Sequence, residues 1–220
     1  MGCNVLLIMG GHGYDRDAFS AMWKALDDVS IREVQYPAAE SFFKRDAAAE
    51  FDAFVFYDFA QTMSAAAHAD FLSLLQNGKG LVFLHHSICG HYEWPEYERI
   101  VGGAWINTER TIHGRVYAPS QYAPNQNVAV HLCPHPVTEG LQDFEMVEET
   151  YKSLYTAPGL TPLLTTEHPS SDPLLGWAHQ YAQSRIVFLQ PGHGASAFND
   201  PNYRRLVRQA IQWTSGSTRR

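Results

Sequence analysis

Short apolar runs that stop abruptly at glycine or at polar side chains recur through the first third of the chain. Residues 4–9, 51–57 and 81–84 are almost continuously apolar, and residues 29–36 alternate weakly between apolar and polar positions. Runs of this length are shorter than most helices and are typical of strands covered on both faces. The pattern therefore predicts four strands of a buried sheet.

Helical periodicity fills the gaps between these predicted strands. The first helix is indicated by apolar residues at helical spacing, namely Phe19, Met22, Trp23 and Leu26. A second helix is predicted over residues 64–76, with Ser64 as its N-cap and Gly78 just past its end. This β-α-β-α order predicts an α/β fold with a mostly parallel central sheet and helices on both faces.

The pattern changes between residues 91 and 180, where alternating apolar and polar positions replace the long apolar runs. A short helix is predicted over residues 94–101, beginning at Pro95. Further strands are predicted over residues 111–117, 127–132, 160–166 and 174–179. Because no Gly- and Ser-rich linker and no repeat interrupts the chain, we expect one domain over residues 1–220. Within it, an antiparallel β elaboration is expected at roughly 91–180.

The α/β pattern returns near the C-terminus. Residues 185–189 form another apolar run, which ends in the segment QPGHG at 190–194. A last helix is predicted to begin at Pro201, with Asp200 as its N-cap. Its apolar stripe consists of Tyr203, Leu206, Val207, Ala210, Ile211 and Trp213.

Composition and charge narrow the class of partner. The chain has 220 residues, 45% of them hydrophobic, and a formal net charge of −7, which suits a globular protein and argues against a nucleic-acid partner. Cys3, Cys89 and Cys133 are too few and too widely spaced for a disulfide framework. The apolar run at 4–9 is too short to span a membrane and lacks the features of a signal peptide. We expect a cytoplasmic protein with no membrane partner, and assembly into a homo-oligomer stays open.

Histidines stand at the ends of three predicted strands. His12 follows the first strand, His85 and His86 follow the run at 81–84, and His193 follows the last strand. Parallel strands place their C-terminal ends along one edge of a sheet, where ligands bind. We therefore expect these side chains to meet in a pocket, and histidine is suited to proton transfer near neutral pH.

The glycine-rich segment at 10–13 is a second candidate ligand-binding element. Tyr14 and Asp15 follow it, and together with His12 they would face a bound ligand. Asp15 would equally serve as the N-cap of the next helix. The segment is neither a Walker loop nor a dinucleotide-binding fingerprint, and no organic or redox cofactor site is evident.

Two other chemistries stay open on the residues alone. Cys89 or Ser87 would be the nucleophile of a hydrolase, although the chain has no GxSxG motif and a buried Cys89 is the simpler interpretation. A divalent metal such as zinc would find ligands in His12, His85, His86, His193 and Glu149, without a compact motif such as HExxH. The neighbouring Glu148 and Glu149 are either a surface acidic pair or the source of a general base.

Six segments, taken in order, resemble the trehalose-utilisation, or ThuA-like, family. They are GGHGYD at 10–15, GKGLVFLHH at 78–86, HPVTEGL at 135–141, EETY at 148–151, QPGHG at 190–194 and DPNYRRLVRQAIQW at 200–213. The resemblance covers nearly the whole chain and implies a class I glutamine amidotransferase-like (flavodoxin-like) fold. It also implies a link to the catabolism of disaccharides and related sugars, in some systems after their oxidation to 3-keto derivatives.

The same resemblance implies where catalytic groups would lie. The nucleophile of an amidotransferase follows the strand that corresponds to residues 80–85, where this chain has His86 or Ser87 and no cysteine. Glutamine hydrolysis is therefore not expected. The amidotransferase histidine corresponds to His193. The acidic DE-Y element of the family corresponds to the EETY segment at 148–151, with Glu in place of the usual Asp.

Together these residues predict a sugar-processing enzyme that acts on a disaccharide or glycoside derivative, such as a 3-keto sugar, by elimination, isomerisation or hydrolysis. His86 and His193 would act as acid and base, with Glu149 orienting them or sharing the proton transfer. The small-molecule sugar, or a metal, would be held by His12, Tyr14, Asp15, His85 and Tyr151. The alternatives are a non-catalytic sugar-binding or regulatory module on the same scaffold and a metal-dependent hydrolase.

Overall fold

The computed structural model describes residues 2–59 and 61–216. Within them, the strands in chain order are β1 (Cys3–Gly10), β2 (Val29–Gln35), β3 (Ala53–Asp58), β4 (Gly80–Leu84), β5 (Gly103–Ala104), β6 (Arg110–Ile112), β7 (Arg115–Tyr117), β8 (Gln121–Leu132), β9 (Phe144–Lys152), β10 (Tyr155–Thr156), β11 (Thr161–Thr165), β12 (Leu174–Tyr181) and β13 (Ser184–Leu189). The helices are α1 (Arg16–Lys24), α2 (Arg45–Ala48), α3 (Ala65–Gln76), α4 (Pro95–Val101), α5 (Ala195–Asn199) and α6 (Pro201–Thr214), with short 3₁₀ helices at Ala38–Phe43 and His85–Cys89. None of the described helices is both long and apolar enough to cross a membrane.

Nine of these strands form the main sheet, in the order β2-β1-β3-β4-β13-β12-β11-β8-β9. The first five pair in parallel, and from β13 outward each strand pairs antiparallel with its neighbour. Outside this sheet, β5 pairs with β10 and β6 pairs with β7. The predicted α/β fold, with a parallel core and an antiparallel elaboration, is confirmed.

The parallel strands separate two apolar cores, because successive side chains of a strand point to opposite faces. In β3, Val55 and Tyr57 join the core that includes residues of α1 and α6, whereas Phe54 and Phe56 join the core that includes residues of α3 and α4. Every residue of β3 is buried. Burial on both faces explains why the run at 51–57 is apolar at nearly every position instead of alternating.

Several local elements differ from those predicted, and three of them show why. β8 begins at 121 instead of 127, because a bulge between Ala123 and Gln126 carries the pairing with β9 through a polar stretch. The single strand predicted over 111–117 is the hairpin β6–β7, which turns at Gly114 with a φ of +78°. The 3₁₀ helix Ala38–Phe43 was not predicted, and it buries Phe43 against the core.

Helix α6 docks on the sheet through one close approach and one polar cluster. At Gly80, a Cβ would lie 2.4 Å from the backbone C and O atoms of Thr214, so only glycine lets β4 and the end of α6 meet there. At the other contact, Arg208 Nη2 and Gln212 Nε2 donate to Asp28 Oδ2 at 2.8 and 2.7 Å. The hydrogen bond from Arg208 lowers the pKa of Asp28.

Candidate functional site

The C-terminal edge of the parallel strands opens into a cleft of about 530 Å³. Six residues predicted from the sequence line it: His12, His85, His86, Glu149, Tyr151 and His193. Aromatic side chains and an amide complete the wall, including Phe59, Tyr92, Trp105, Asn107 and Tyr122. A cleft with apolar walls and a few convergent ionisable groups has the composition of a small-molecule site.

His85 stands at a sharp turn directly after β4. Its φ is +48°, in the left-handed region that residues other than glycine rarely adopt. Its ring is buried, with Nδ1 2.7 Å from the Gln190 carbonyl oxygen and Nε2 2.8 Å from the Tyr151 hydroxyl. A carbonyl only accepts, so Nδ1 carries the proton and neutral His85 has its lone pair on Nε2. The turn is where a nucleophile elbow would be, and the residue at its strained position is His85, not the expected His86 or Ser87.

Glu149 lies between two histidines that come from different parts of the chain. Its Oε1 is 3.5 Å from His85 Nε2, and its Oε2 is 3.8 Å from His193 Nε2. Burial raises the pKa of Glu149, but His85 and His193 beside the carboxylate outweigh burial and bring the pKa below its usual value. The site therefore holds an ionised carboxylate that reaches both imidazoles at neutral pH.

Glu148 is buried and binds main chain, which contradicts the alternative that the two glutamates form a surface pair. Its Oε2 accepts from the Gly192 N–H at 2.7 Å, and its Oε1 accepts from the His193 N–H at 3.1 Å. The Glu149 N–H also donates to Oε1, at 2.8 Å. The Glu148 carboxylate thus fixes the backbone at Glu149 and at the Gly192–His193 turn. The His193 side chain, in contrast, is 41% exposed and lines the cleft.

His86 is buried among aromatic rings at the bottom of the cleft. Its ring centroid is 4.5 Å from that of His12 and 4.6 Å from that of Tyr57. Burial, together with the neighbouring histidines, lowers the pKa of His86 strongly, so the ring stays neutral. Within the described residues, neither ring nitrogen has a hydrogen-bond partner. The predicted role of a cationic acid does not suit this environment, whereas a neutral N–H donor does.

Two predicted binding residues are not brought to the cleft. The Tyr14 hydroxyl lies 3.5 Å from Met9 Sδ, and its ring packs edge-on against Tyr57. The Asp15 carboxylate accepts from the Ala18 N–H at 3.0 Å and is the N-cap of α1, the second of the two interpretations of this residue. The chain turns into α1 immediately after the glycine-rich segment. Of His12, Tyr14 and Asp15, it is therefore His12 that lines the cleft.

The candidate nucleophiles are both buried. Cys89 is 4% exposed, and burial raises the pKa of its thiol, so the thiolate is disfavoured. Ser87 is fully buried, and within the described residues its hydroxyl has no hydrogen-bond partner. The environment of Cys89 fits the packing interpretation.

Three of the five predicted metal ligands are grouped by the fold. One ligand atom each from His85, Glu149 and His193 lies within 4.8 Å of the others. Two imidazole nitrogens and a carboxylate oxygen form a donor set that zinc accepts. The bond from His85 Nδ1 to the Gln190 carbonyl is the kind that orients a ligating imidazole. His12 and His86 are not part of this group.

The sequence interpretation missed the aromatic wall. Tyr92, Trp105 and Asn107 come from the stretch interpreted as an elaboration, where no apolar strand end pointed to a site. The one sequence signal for this wall was the glycine pair Gly102 and Gly103, which ends the predicted helix just before Trp105, a residue that lines the cleft.

Comparisons with known proteins agree with this architecture. The model of the ThuA family, described as trehalose utilisation, matches residues 4–214. A ThuA-like protein of Parabacteroides merdae is similar in structure, with a TM-score of 0.79 and 17% identity over 100% of this chain and 93% of that protein. A ThuA-like protein of Bacteroides uniformis has a TM-score of 0.71 and 18% identity over 96% of this chain and 91% of that one. A cytoplasmic protein of Salmonella typhimurium has a TM-score of 0.65 and 12% identity, covering 96% and 99%. Among curated proteins, none matches.

Proposed function

The chain belongs to the ThuA family, and we propose that it is a sugar-catabolic enzyme that moves protons on a 3-keto derivative of a disaccharide or glycoside. The description of the family, trehalose utilisation, supports a role in sugar metabolism. One observation carries the catalytic part of the proposal. The ionised Glu149 lies between His85 and His193 in a cleft of the size of a small-molecule site.

The proposed reaction is an elimination that a base and a proton donor can perform. The carbonyl at C3 of the sugar acidifies the neighbouring C2–H. His193 takes this proton, and the C–H electron pair forms an enolate. The C3 carbonyl then re-forms, the electron pair of the enolate makes the C1=C2 double bond while the C1–O bond breaks, and the departing oxygen takes the proton held by His193. The products are an unsaturated keto sugar and an alcohol, and addition of water to the double bond would complete a net hydrolysis.

The surroundings of each group suit a separate task. Among His85, Glu149 and His193, the His193 side chain is the most exposed. Glu149 would stabilise the His193 ring when that ring carries the proton. His86 is neutral, and its ring nitrogens have no hydrogen-bond partner among the described residues, so it would donate an N–H to the enolate oxygen; a neutral imidazole is a good donor to developing negative charge. His85, with its ring fixed by the Gln190 carbonyl, would hold Glu149 in place when Nε2 also carries a proton.

Deuterium exchange tests the proposed proton abstraction directly. The protein is incubated in D₂O with trehalose and with 3-keto-trehalose, and NMR follows both deuterium at C2 and product formation. We expect exchange and turnover with the keto sugar alone. His193→Ala and Glu149→Gln should each lower the rate by about 10²-fold or more, whereas the control His131→Ala, at an exposed histidine paired with Asp143, should not. Saturable binding of both sugars with neither exchange nor product would favour a non-catalytic binding module instead.

The grouping of His85, Glu149 and His193 favours a second candidate, a metal-dependent hydrolase. In that case the three residues would hold a divalent ion, which would supply a Lewis acid for the same sugar substrate. Elemental analysis of protein purified without chelators separates the two candidates. One equivalent of zinc or a similar ion, lost in Glu149→Gln and retained in His131→Ala, would favour the hydrolase. No stoichiometric ion together with full exchange activity would reject it.

A further inference from the structure

A second, smaller cavity adjoins the cleft, and we refer to it as the side cavity. Its volume is about 240 Å³, and it lies between α4 and the segment that leads from β5 to β6. Tyr92, Trp105 and Asn107 line both the side cavity and the cleft. Burial raises the pKa of Tyr92, and the neighbouring Asn107 side chain partly offsets that rise. These three shared side chains therefore form part of the boundary between the two spaces.

The lining of the side cavity combines flat rings with polar groups. Trp94, Tyr97 and His91 supply aromatic surface, and Glu98 and Arg110 supply charge. Sugar rings present alternating apolar C–H faces and hydroxyl edges, which match aromatic faces and planar polar side chains respectively. The cavity is therefore chemically suited to a single sugar ring.

Arg110 adds an observation that points to a ligand. Its Nη2 donates to Glu98 Oε2 at 2.6 Å, which fixes the guanidinium beside the cavity. Its Nε is buried and, within the described residues, has no acceptor. The side chain as a whole is 38% exposed, so the guanidinium presents other N–H groups to a hydroxyl of a ring bound in the cavity.

From these contacts we infer that the side cavity binds the second ring of a two-ring sugar whose reacting ring lies in the cleft. This inference rests on the proposed function and specifies its substrate class. The shared wall is close to the catalytic cluster, because the Trp105 ring packs edge-on against Tyr151 at 5.2 Å, and Tyr151 hydrogen-bonds to His85. A glycosidic bond that crosses the wall at Trp105 would therefore lie beside the groups proposed to break it.

The far side of the cavity is held rigidly, which would favour a ring in one orientation. His91 Nε2 is 3.7 Å from the fully buried carboxylate of Asp58 and 3.3 Å from the Tyr36 hydroxyl. The Tyr97 hydroxyl donates to the Ser87 carbonyl at 2.9 Å. Such preorganisation lowers the entropic cost of binding.

Filling the side cavity tests the inference. Thr108 is exposed and lines the side cavity only, so Thr108→Trp should fill the cavity without contacting the cleft. Thr111→Trp is the matched control, at an exposed position that lines neither space. We expect Thr108→Trp to raise KM for 3-keto-trehalose about 10-fold, equivalent to about 1.4 kcal/mol, and to leave the rate of C2 deuterium exchange of 3-keto-glucose unchanged. Arg110→Gln should have the same selective effect, with its stability checked by urea unfolding.

Equal effects on the two keto sugars, or no effect of Thr108→Trp on either, would overturn the inference. Binding measurements keep its failure separate from that of the proposed function. If the wild type turns over neither keto sugar, the proposed function fails. The side cavity is then tested by titrating trehalose and glucose against tryptophan fluorescence. A selective loss of trehalose affinity in Thr108→Trp would still support a site for the second ring, and equal affinities in wild type and variant would reject it.

Discussion

Replacing Glu148 by glutamine tests whether one buried carboxylate holds the backbone that carries His193. The Glu148 carboxylate accepts three backbone N–H groups, those of Gly192, His193 and Glu149. A glutamine side chain keeps one oxygen, so at least one of these donors must face an NH₂ group and lose its acceptor. The change is isosteric, so the effect comes from lost hydrogen bonding and charge and not from an altered volume.

The cost follows from the number of bonds affected. A buried donor left without a partner costs about 1–3 kcal/mol. The two bonds that survive lose the assistance of the negative charge, at about 0.5–1 kcal/mol each. We therefore expect Glu148→Gln to lower the free energy of unfolding by about 3 kcal/mol, and the Tm by about 6–12 °C for a chain of this size.

Urea unfolding, followed by circular dichroism and tryptophan fluorescence, measures this change. Glu145→Gln is the matched control, because Glu145 is on the same strand and is exposed. The control should stay within about 0.5 kcal/mol of the wild type. A Glu148→Gln variant as stable as the control would refute the reasoning, since the three bonds would then contribute nothing.

Three further variants probe the other contacts. Tyr151→Phe removes the 2.8 Å partner of His85 Nε2 and should lower kcat on the keto sugar about 10-fold in steady-state assays; an unchanged kcat would contradict a role in holding that ring. Asp28→Asn should cost about 1 kcal/mol in urea unfolding at pH 7. Because the folded pKa of Asp28 is below its usual value of 3.8, that difference should be fully present above pH 3.8 and disappear as the pH falls through the folded pKa, and a constant difference would count against it. Gly80→Ala should lower the free energy of unfolding by about 3 kcal/mol through its clash with Thr214, whereas Gly13→Ala, with open space around it, should leave it unchanged.

The parallel half of the fold could be predicted because each of its strands is marked by a short stretch of sequence. Strands buried on both faces must be apolar throughout, so the runs that became β1, β3 and β4 are visible without a structure. Parallel pairing then brings the residues after those strands to one edge, which predicts that His12, His85 and His193 meet. All three line the cleft.

The remainder of the site depends on contacts that no local pattern encodes. The sequence could not show that Glu148 turns toward the Gly192 backbone while its neighbour Glu149 reaches two imidazoles. The residues alone singled out Glu148 and Glu149 as a surface pair or a source of a general base, and Glu149 as a metal ligand, but they could not decide between these roles. Tyr14 and Asp15 were expected at the site because they follow glycines, but the start of α1 takes Asp15 as its cap. Trp105 reaches the cleft because α4 and the β5–β6 segment fold over it, which is a tertiary effect.

The ribbon formed by β8 and β9 has a consequence for the order of folding. Among the described residues, it joins the rest of the sheet through two paired positions between β8 and β11, Leu132 with Leu164 and His131 with Thr165. Yet it carries Glu149, which is sixty-four residues after His85 and forty-four before His193. Closing such long loops is entropically slow. Turnover needs these contacts together with the equally long-range pairing of β4 with β13, so during refolding it should appear only when the whole sheet has formed.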